Sequence, residues 1–456
     1  VAKGLATEVS HFVPHTDSDI EAMLALLGLS SVDELFAVVP EALRLAGGLE
    51  LPSGLAEADV MDRMAALAGR NRGDLICFAG GGAYDHQVPA ATRALAGRSE
   101  FVTAYTPYQA EVAQGVLQAL FEFQTMVARL AGLAVANASL YDGASAATEA
   151  LNLAVASTGR STVWLSRGLH PHWRAVMATL AAGSGHDLVE VDLADGLTAW
   201  PDGHEGERPG AVVVAYPNYL GCLEDLGAAR AAADRAGALL VVAFDPIASG
   251  ILVSPGACGA DVVVGEGQAL GTALNFGGPY LGLLACALDH VRRLPGRLVG
   301  ETVDNEGRRA YVATLRAREQ DIRRERASSN VCTNQTLMAV TAAIQLGWLG
   351  TGGLAAVALA CARGARYCRD VLCAIEGVEP LVSAPVLREF AVRTPVTADV
   401  VVERLAEEGF LAGIPVEPGL GGTGSDGLGG LLVAVTERRT RSQIHAFAAA
   451  FEKAVR

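Results

Sequence analysis

The chain has 456 residues, with 35 Lys or Arg against 50 Asp or Glu and a formal charge of −15 at neutral pH. An apolar share of 51%, with glycines in no three-residue period, excludes a disordered or collagen-like chain and is enough to build a core. The acidic balance argues against nucleic acid as a partner, since no basic stripe exists to displace counterions, whereas one local arginine still admits a small acidic substrate.

The first 74 residues predict an amino-terminal helical extension. HTDSDIEAMLALLGL offers Thr16 or Asp17 as N-cap before apolar residues at helical spacing, and SSVDELFAVV and EADVMDRMAALAG follow. The run has neither the apolar stretch of a signal peptide nor the Arg-rich amphipathic pattern of a transit peptide, so the expected location is cytoplasmic. Eight cysteines, none in a CxxC spacing, fit buried free thiols in a reducing compartment.

From residue 75 to 330 the texture changes to short apolar runs between Ala-rich helical patterns. STVWLS, DLVEVDL, AVVVAYP, ALLVVAFDP, DVVVG and YLGLLACA are apolar on both faces, as parallel strands covered by helices on either side must be. LEDLGAARAAADRAG supplies a crossover helix between two of them. The fold class is therefore α/β, with a mostly parallel, doubly wound sheet. Residues 331–456 hold linking helices and a smaller α/β domain. Val331 to Ala362 carries no charge and is long enough to span a bilayer of about 30 Å, but Gln345, the threonines and the GTGG at 350–353 favour two buried helices joined by a glycine turn, with no membrane partner. The later Gly-rich GLGGTGSDGLGG lacks the Lys-Ser/Thr of a phosphate loop and reads as a connector.

Several segments could carry chemistry. SLYDGASAATE places a turn before a helix, so that Asp142, Gly143, Ala144 and Ser145 stand at a helix start, where an anion binds readily or a side chain merely caps. Asp245 ends a strand at the carboxyl edge, where open α/β sheets place ligands. VVVGEGQALG is a second strand entering a polar turn, where a pyridoxal-phosphate enzyme of the aminotransferase type keeps its Schiff-base lysine. This chain has two lysines, Lys3 and Lys453, one near each end, and arginine cannot form an imine. RSEFVTAYTPYQAEVAQ groups Tyr105, Thr106, Tyr108, Gln109, Glu111 and Gln114 before and within the first turns of a helix that Pro107 would open. So many Tyr and Gln side chains suggest a surface facing a ligand or another subunit. RRERASSNVCTNQTL adds Arg324, Arg326, Asn330, Thr333 and Asn334, with Cys332 lacking a histidine nearby to act as its base. The HPH at 170–172 has the wrong spacing for a helical metal site and reads as a solvated helix start, and no metal site is expected.

AYDHQVP, RSEFVTAYTPYQAEVAQGVLQALFEFQTM, NASLYDGASAATEA, VVGEGQALG with FGGPYLG, and ASSNVCTNQTL together resemble the glycine cleavage system P-protein family, glycine dehydrogenase (decarboxylating). The likeness covers nearly the whole chain and is greatest to the amino-terminal, subunit 1 type found where the enzyme is divided into two chains. The resemblance implies a fold-type-I pyridoxal-phosphate scaffold assembled as a heterotetramer. In it, glycine dehydrogenase subunit 2 holds pyridoxal phosphate on a lysine, glycine is decarboxylated and the aminomethyl group passes to the lipoyl arm of H-protein. It places Gly267-Gln268 where the His-Lys pair of subunit 2 would stand. Asp142, Gly143, Ala144, Ser145, Asp245 and Gln268 are then relics of a second cofactor pocket, and YTPYQAE, with Tyr105, Thr106, Tyr108, Gln109, Glu111 and Gln114, lines the partner's active site. A purely structural subunit and an independent enzyme with other chemistry are the competing readings.

Overall fold

A computed structural model of the chain describes residues 14–45, 49–103, 106–203, 208–275, 277–417, 419–420 and 430–456. The chain divides into two units, Val1–Gly73 and Asp74–Arg456. In the first, the helix Asp17–Leu27 starts at Thr16, whose hydroxyl accepts from the Asp19 N–H while the Asp19 carboxylate accepts from the Thr16 N–H. This reciprocal cap satisfies two donors that a helix start otherwise leaves open. Neither this helix nor Glu57–Ala68 has a buried residue.

The second unit is built on a seven-stranded sheet. Its order is Val135–Ala136, Gly282–Cys286, Val262–Glu266, Leu239–Phe244, Ala211–Tyr216, Thr162–Ser166 and Asp187–Val191. Only Gly282–Cys286 runs against the others. Alternate residues of these strands feed two cores, Val212, Val214, Leu240 and Val242 on one face and Val213, Val241, Val262 and Val264 on the other, all fully buried. That double burial is why the runs lack polar alternation. DLVEVDL is the exception: it forms the edge strand Asp187–Val191, where only Val191 is buried. Helix Gly143–Thr158 covers one face, and Gln114–Ala131 and Leu226–Ala236 cover the other.

Thr336–Leu372 is two helices meeting at Gly350, whose φ of 60° and ψ of −178° break the turn. Glycine adopts that backbone without steric cost. By length and composition this helix could cross a membrane, yet it is not sunk in protein on all sides as the sequence suggests. Ala339, Leu346, Ala358, Cys361 and Ala365 line its buried stripe, whereas Trp348 is 62% exposed.

The carboxyl-terminal part forms a four-stranded antiparallel sheet in the order Glu379–Pro380, Glu389–Arg393, Gly430–Ala434 and Ile414–Pro415, covered by helices Ala398–Glu407 and Arg441–Val455. Ile76–Cys77, assigned to the large domain from sequence, instead pairs in parallel with Phe410–Leu411. Phe78 completes this smaller core, stacked on Phe447 with ring centroids 4.0 Å apart. The Gly-rich connector lies almost wholly outside the described residues.

Candidate active site

A pocket opens at the carboxyl edge of the sheet, lined by Tyr84, His170, Trp173, Tyr219, Phe244, Asp245, Glu266, Arg388 and Glu389 among others. Asp245 follows the strand Leu239–Phe244, and one of its oxygens accepts from the N–H groups of Ile247 and Ala248 at 2.8 and 3.3 Å. The other forms an ion pair with Arg388, which enters from the smaller sheet. Arg388 also donates to His86 Nε2 at 2.8 Å and lies 3.4 Å from the centroid of the Tyr84 ring. His86 Nδ1 bonds Glu437 at 2.6 Å. Burial would raise the Glu437 carboxyl, but the hydrogen bonds it accepts from the His86 ring and the Gln87 N–H outweigh it and bring it to about 2. Cys361, His86 and Glu437 come close enough to share a cation, but Arg388 occupies the other side of the imidazole, and the cluster is internally paired. The AYDHQVP motif is thus the strap that joins the two sheets. Asp85 adds ion pairs to Arg438 and Arg439.

The helix start at 142–145 is also satisfied from within. Asp142 is the N-cap, accepting from Ser145 N–H at 2.7 Å, and Gly143 N–H donates to Glu266 Oε2 at 2.9 Å. Glu266 Oε1 takes the N–H groups of Gln268 and Leu281, each at 2.9 Å. Burial pushes this carboxyl up to about 7, against three backbone donors that favour its charged form. A Cβ on Gly143 would collide with the Trp173 indole. Gln268 is buried, and its carbonyl accepts from Tyr84 N–H at 2.9 Å while its amide donates to the Tyr84 and Thr272 carbonyls at 3.1 and 2.7 Å. The HPH segment is a helix start with Pro171 in its first turn, but only His172 is solvated. His170 faces the pocket, and burial pushes its imidazole down to about 4, so it is neutral at pH 7.

The YTPYQAE segment lies elsewhere, over the hairpin Leu298–Val303 and Arg309–Thr314. Tyr105 lies outside the described residues. The helix that Pro107 was expected to open begins only at Gln114. Residues 106–113 instead make local turns, with Val112 N–H bonded to the Gln109 carbonyl. The reason is tertiary: the Gln114 amide is spent on both backbone groups of Tyr311, at 2.8 Å each, and Tyr108 is drawn to Arg297. Thr106 is half-buried, while Tyr108, Gln109 and Glu111 are exposed. Arg297 bonds Tyr108 OH, Thr333, Asn334 and the Cys332 carbonyl, and so joins YTPYQAE to NVCTNQTL. Arg324 and Arg326 are exposed, and Asn330 accepts from Gln320.

This strand order, with a ligand pocket at the sheet edge and a smaller domain across it, is that of pyridoxal-phosphate enzymes of fold type I. A sphingosine-1-phosphate lyase from Burkholderia pseudomallei shares the fold at 16% identity and a TM-score of 0.64, covering 91% of this chain and 94% of that one. The chain belongs to the glycine cleavage system P-protein family, whose model matches residues 10–451. It is 46% identical over 442 residues to the probable glycine dehydrogenase (decarboxylating) subunit 1 of Desulforamulus reducens, covering 96% of this chain and 98% of that one. The protein of the same description from Prosthecochloris aestuarii is 46% identical over 441 residues, with the same coverage. A crystal structure of glycine decarboxylase (P-protein) of the glycine cleavage system, in inhibitor-bound form, superposes with a TM-score of 0.89 at 45% identity, covering 97% of this chain and 99% of that one.

The scaffold implies pyridoxal phosphate, but the residues of this pocket do not fit a resident cofactor. Gln268 offers no amine and is committed to Tyr84 and Thr272. Glu266 occupies the helix start and takes the Gly143 N–H that a phosphate there would need. Asp245 is spent on Arg388.

Proposed function

We propose that this chain is subunit 1 of a two-chain glycine dehydrogenase (decarboxylating), acting in the cytoplasm beside a second subunit that holds pyridoxal phosphate. The names borne by its relatives support glycine decarboxylation, and the term subunit 1 implies a partner chain. The reaction proposed is loss of carbon dioxide from glycine and transfer of the aminomethyl group to the lipoyl arm of H-protein. Eight free cysteines suit a reducing compartment.

The observation that carries the division of labour is the self-paired pocket. With Glu266 on the helix start, Arg388 on Asp245 and Gln268 on Tyr84, the sheet edge is closed by the chain's own groups. The chain's contribution to chemistry is then its exposed face. Thr106, Tyr108, Gln109 and Glu111 present polar groups toward the partner's active site, and Gln114 fixes the segment to the hairpin beneath.

The test is to purify the chain alone and with its lysine-bearing partner. Alone it should show no visible absorbance from bound pyridoxal phosphate and no exchange between glycine carboxyl and bicarbonate. With the partner, both should appear. A chromophore or exchange in the isolated chain would overturn the proposal, and full exchange by the partner alone would leave this chain a purely structural role.

A further inference from the structure

Arg297 is only 7% exposed, and among the described residues no carboxylate lies within ion-pair distance of it. A guanidinium taken out of water without a counter-charge costs several kcal/mol, so such sites are rare unless an anion completes them. Its Nη hydrogens go to neutral oxygens: Thr333 Oγ1 at 3.2 Å, Asn334 Oδ1 at 2.9 Å, Tyr108 OH at 2.8 Å and the Cys332 carbonyl at 3.0 Å. The Nε atom is buried and has no partner. Glu319 lines the same recess without pairing to Arg297, and Arg316 is paired to Asp321.

The direction of the Tyr108 bond matters most. Arginine has donors only, so the Tyr108 oxygen must accept, and its own hydrogen must point elsewhere. No described residue accepts it, and Tyr108 is 51% exposed. The Arg297 and Arg316 guanidiniums lie 4.9 and 5.4 Å from the ring centroid, which holds the ring in one orientation. The result is an O–H donor that no described residue takes up, backed by a fixed positive charge, on a protein whose net charge is −15.

We propose that Arg297 is a positioning residue that turns the Tyr108 hydroxyl into a hydrogen-bond donor for an oxyanion of the composite active site, namely the carboxylate of the amino-acid substrate. The inference rests on the two-chain reading above. The other oxyanion available to that site is the phosphate of the partner's cofactor, and the test separates the two.

In the reconstituted two-subunit enzyme, the Michaelis constant for glycine is measured with inhibition by acetate, which carries only the carboxylate, and by methylamine, which carries only the amine. Arg297→Gln should raise the glycine and acetate constants roughly tenfold, the loss of one charge-assisted hydrogen bond, and leave methylamine unchanged. Tyr108→Phe should do the same without adding to Arg297→Gln when the two are combined. Being half exposed, Tyr108→Phe also carries the test if Arg297→Gln fails to assemble. All three constants moving together, none moving, or a loss confined to pyridoxal-phosphate affinity would overturn the proposal. Undiminished turnover by the partner without this chain would instead defeat the two-chain reading.

Discussion

The pocket at the sheet edge and the recess around Tyr108 each combine arginine with tyrosine and polar neighbours, yet they are opposite in how their charges are met. At the sheet edge Asp245 faces Arg388, Glu437 accepts from the His86 ring and Asp85 faces two arginines. In the recess Arg297 is surrounded by neutral oxygens, and Tyr108 keeps a spare donor. A buried cluster whose polar groups are largely spent on one another has little left to offer a ligand. One with an unmatched cation and an idle hydroxyl is complete only once something binds.

The strongest challenge to this contrast is Arg388→Met. It leaves Asp245 buried without its counter-charge, and the unfolding free energy from urea titration should fall by about 3–5 kcal/mol. A loss under about 1 kcal/mol would mean that the sheet-edge pairs are not what closes the pocket.

The second test uses pH. Burial raises Glu266 from an ordinary value of 4.5 to about 7, so between these values the folded chain binds more protons than the unfolded one. The stability contributed by this group is complete below about 4.5 and is lost as pH rises through about 7, a change on the order of 3 kcal/mol. Melts across that window should show the decline in the native chain and a flatter profile in Glu266→Gln.

Restoring an amine sharpens the comparison further. Gln268→Lys forfeits the bonds to Tyr84 and Thr272, with an expected loss of about 1–3 kcal/mol. Added pyridoxal phosphate should still give no visible chromophore, because Glu266 continues to hold the helix start. A Schiff-base spectrum in this variant would show that Glu266 at the helix start does not bar the cofactor. The smallest effect belongs to Tyr108→Phe in the isolated chain, with about 1 kcal/mol or less in denaturant unfolding, because one hydrogen bond at a half-exposed ring is lost and water can replace it.

Much of this architecture was legible in the sequence. The apolar runs at 162–166, 211–216 and 239–244 are buried on both faces and could hardly be anything but central strands. The count of two lysines, one near each end, is the sequence feature from which the proposal of a partner-held cofactor starts. Arg388 and Arg297 were not legible, because what defines them is a partner 143 or 189 positions away, which no local spacing encodes. Glu266 was nearer to hand: a carboxylate ending an otherwise apolar strand, two residues before Gln268, is a signal that a buried acid needs donors. The late start of the helix at Gln114 is not encoded locally, because Pro107 satisfies the rule for a first turn and only the distant Tyr311 backbone overrides it.

The pairing of Ile76–Cys77 with Phe410–Leu411, and the stacking of Phe78 on Phe447, also constrain how the polypeptide is made. On the ribosome, Phe78 emerges hundreds of residues before its mate. At about 5–20 residues per second it waits on the order of tens of seconds with its ring in water. A carboxyl-terminal fragment expressed from residue 331 would never receive that ring, so the core of the small lobe is complete only when residues 78, 410 and 447 are all in one chain.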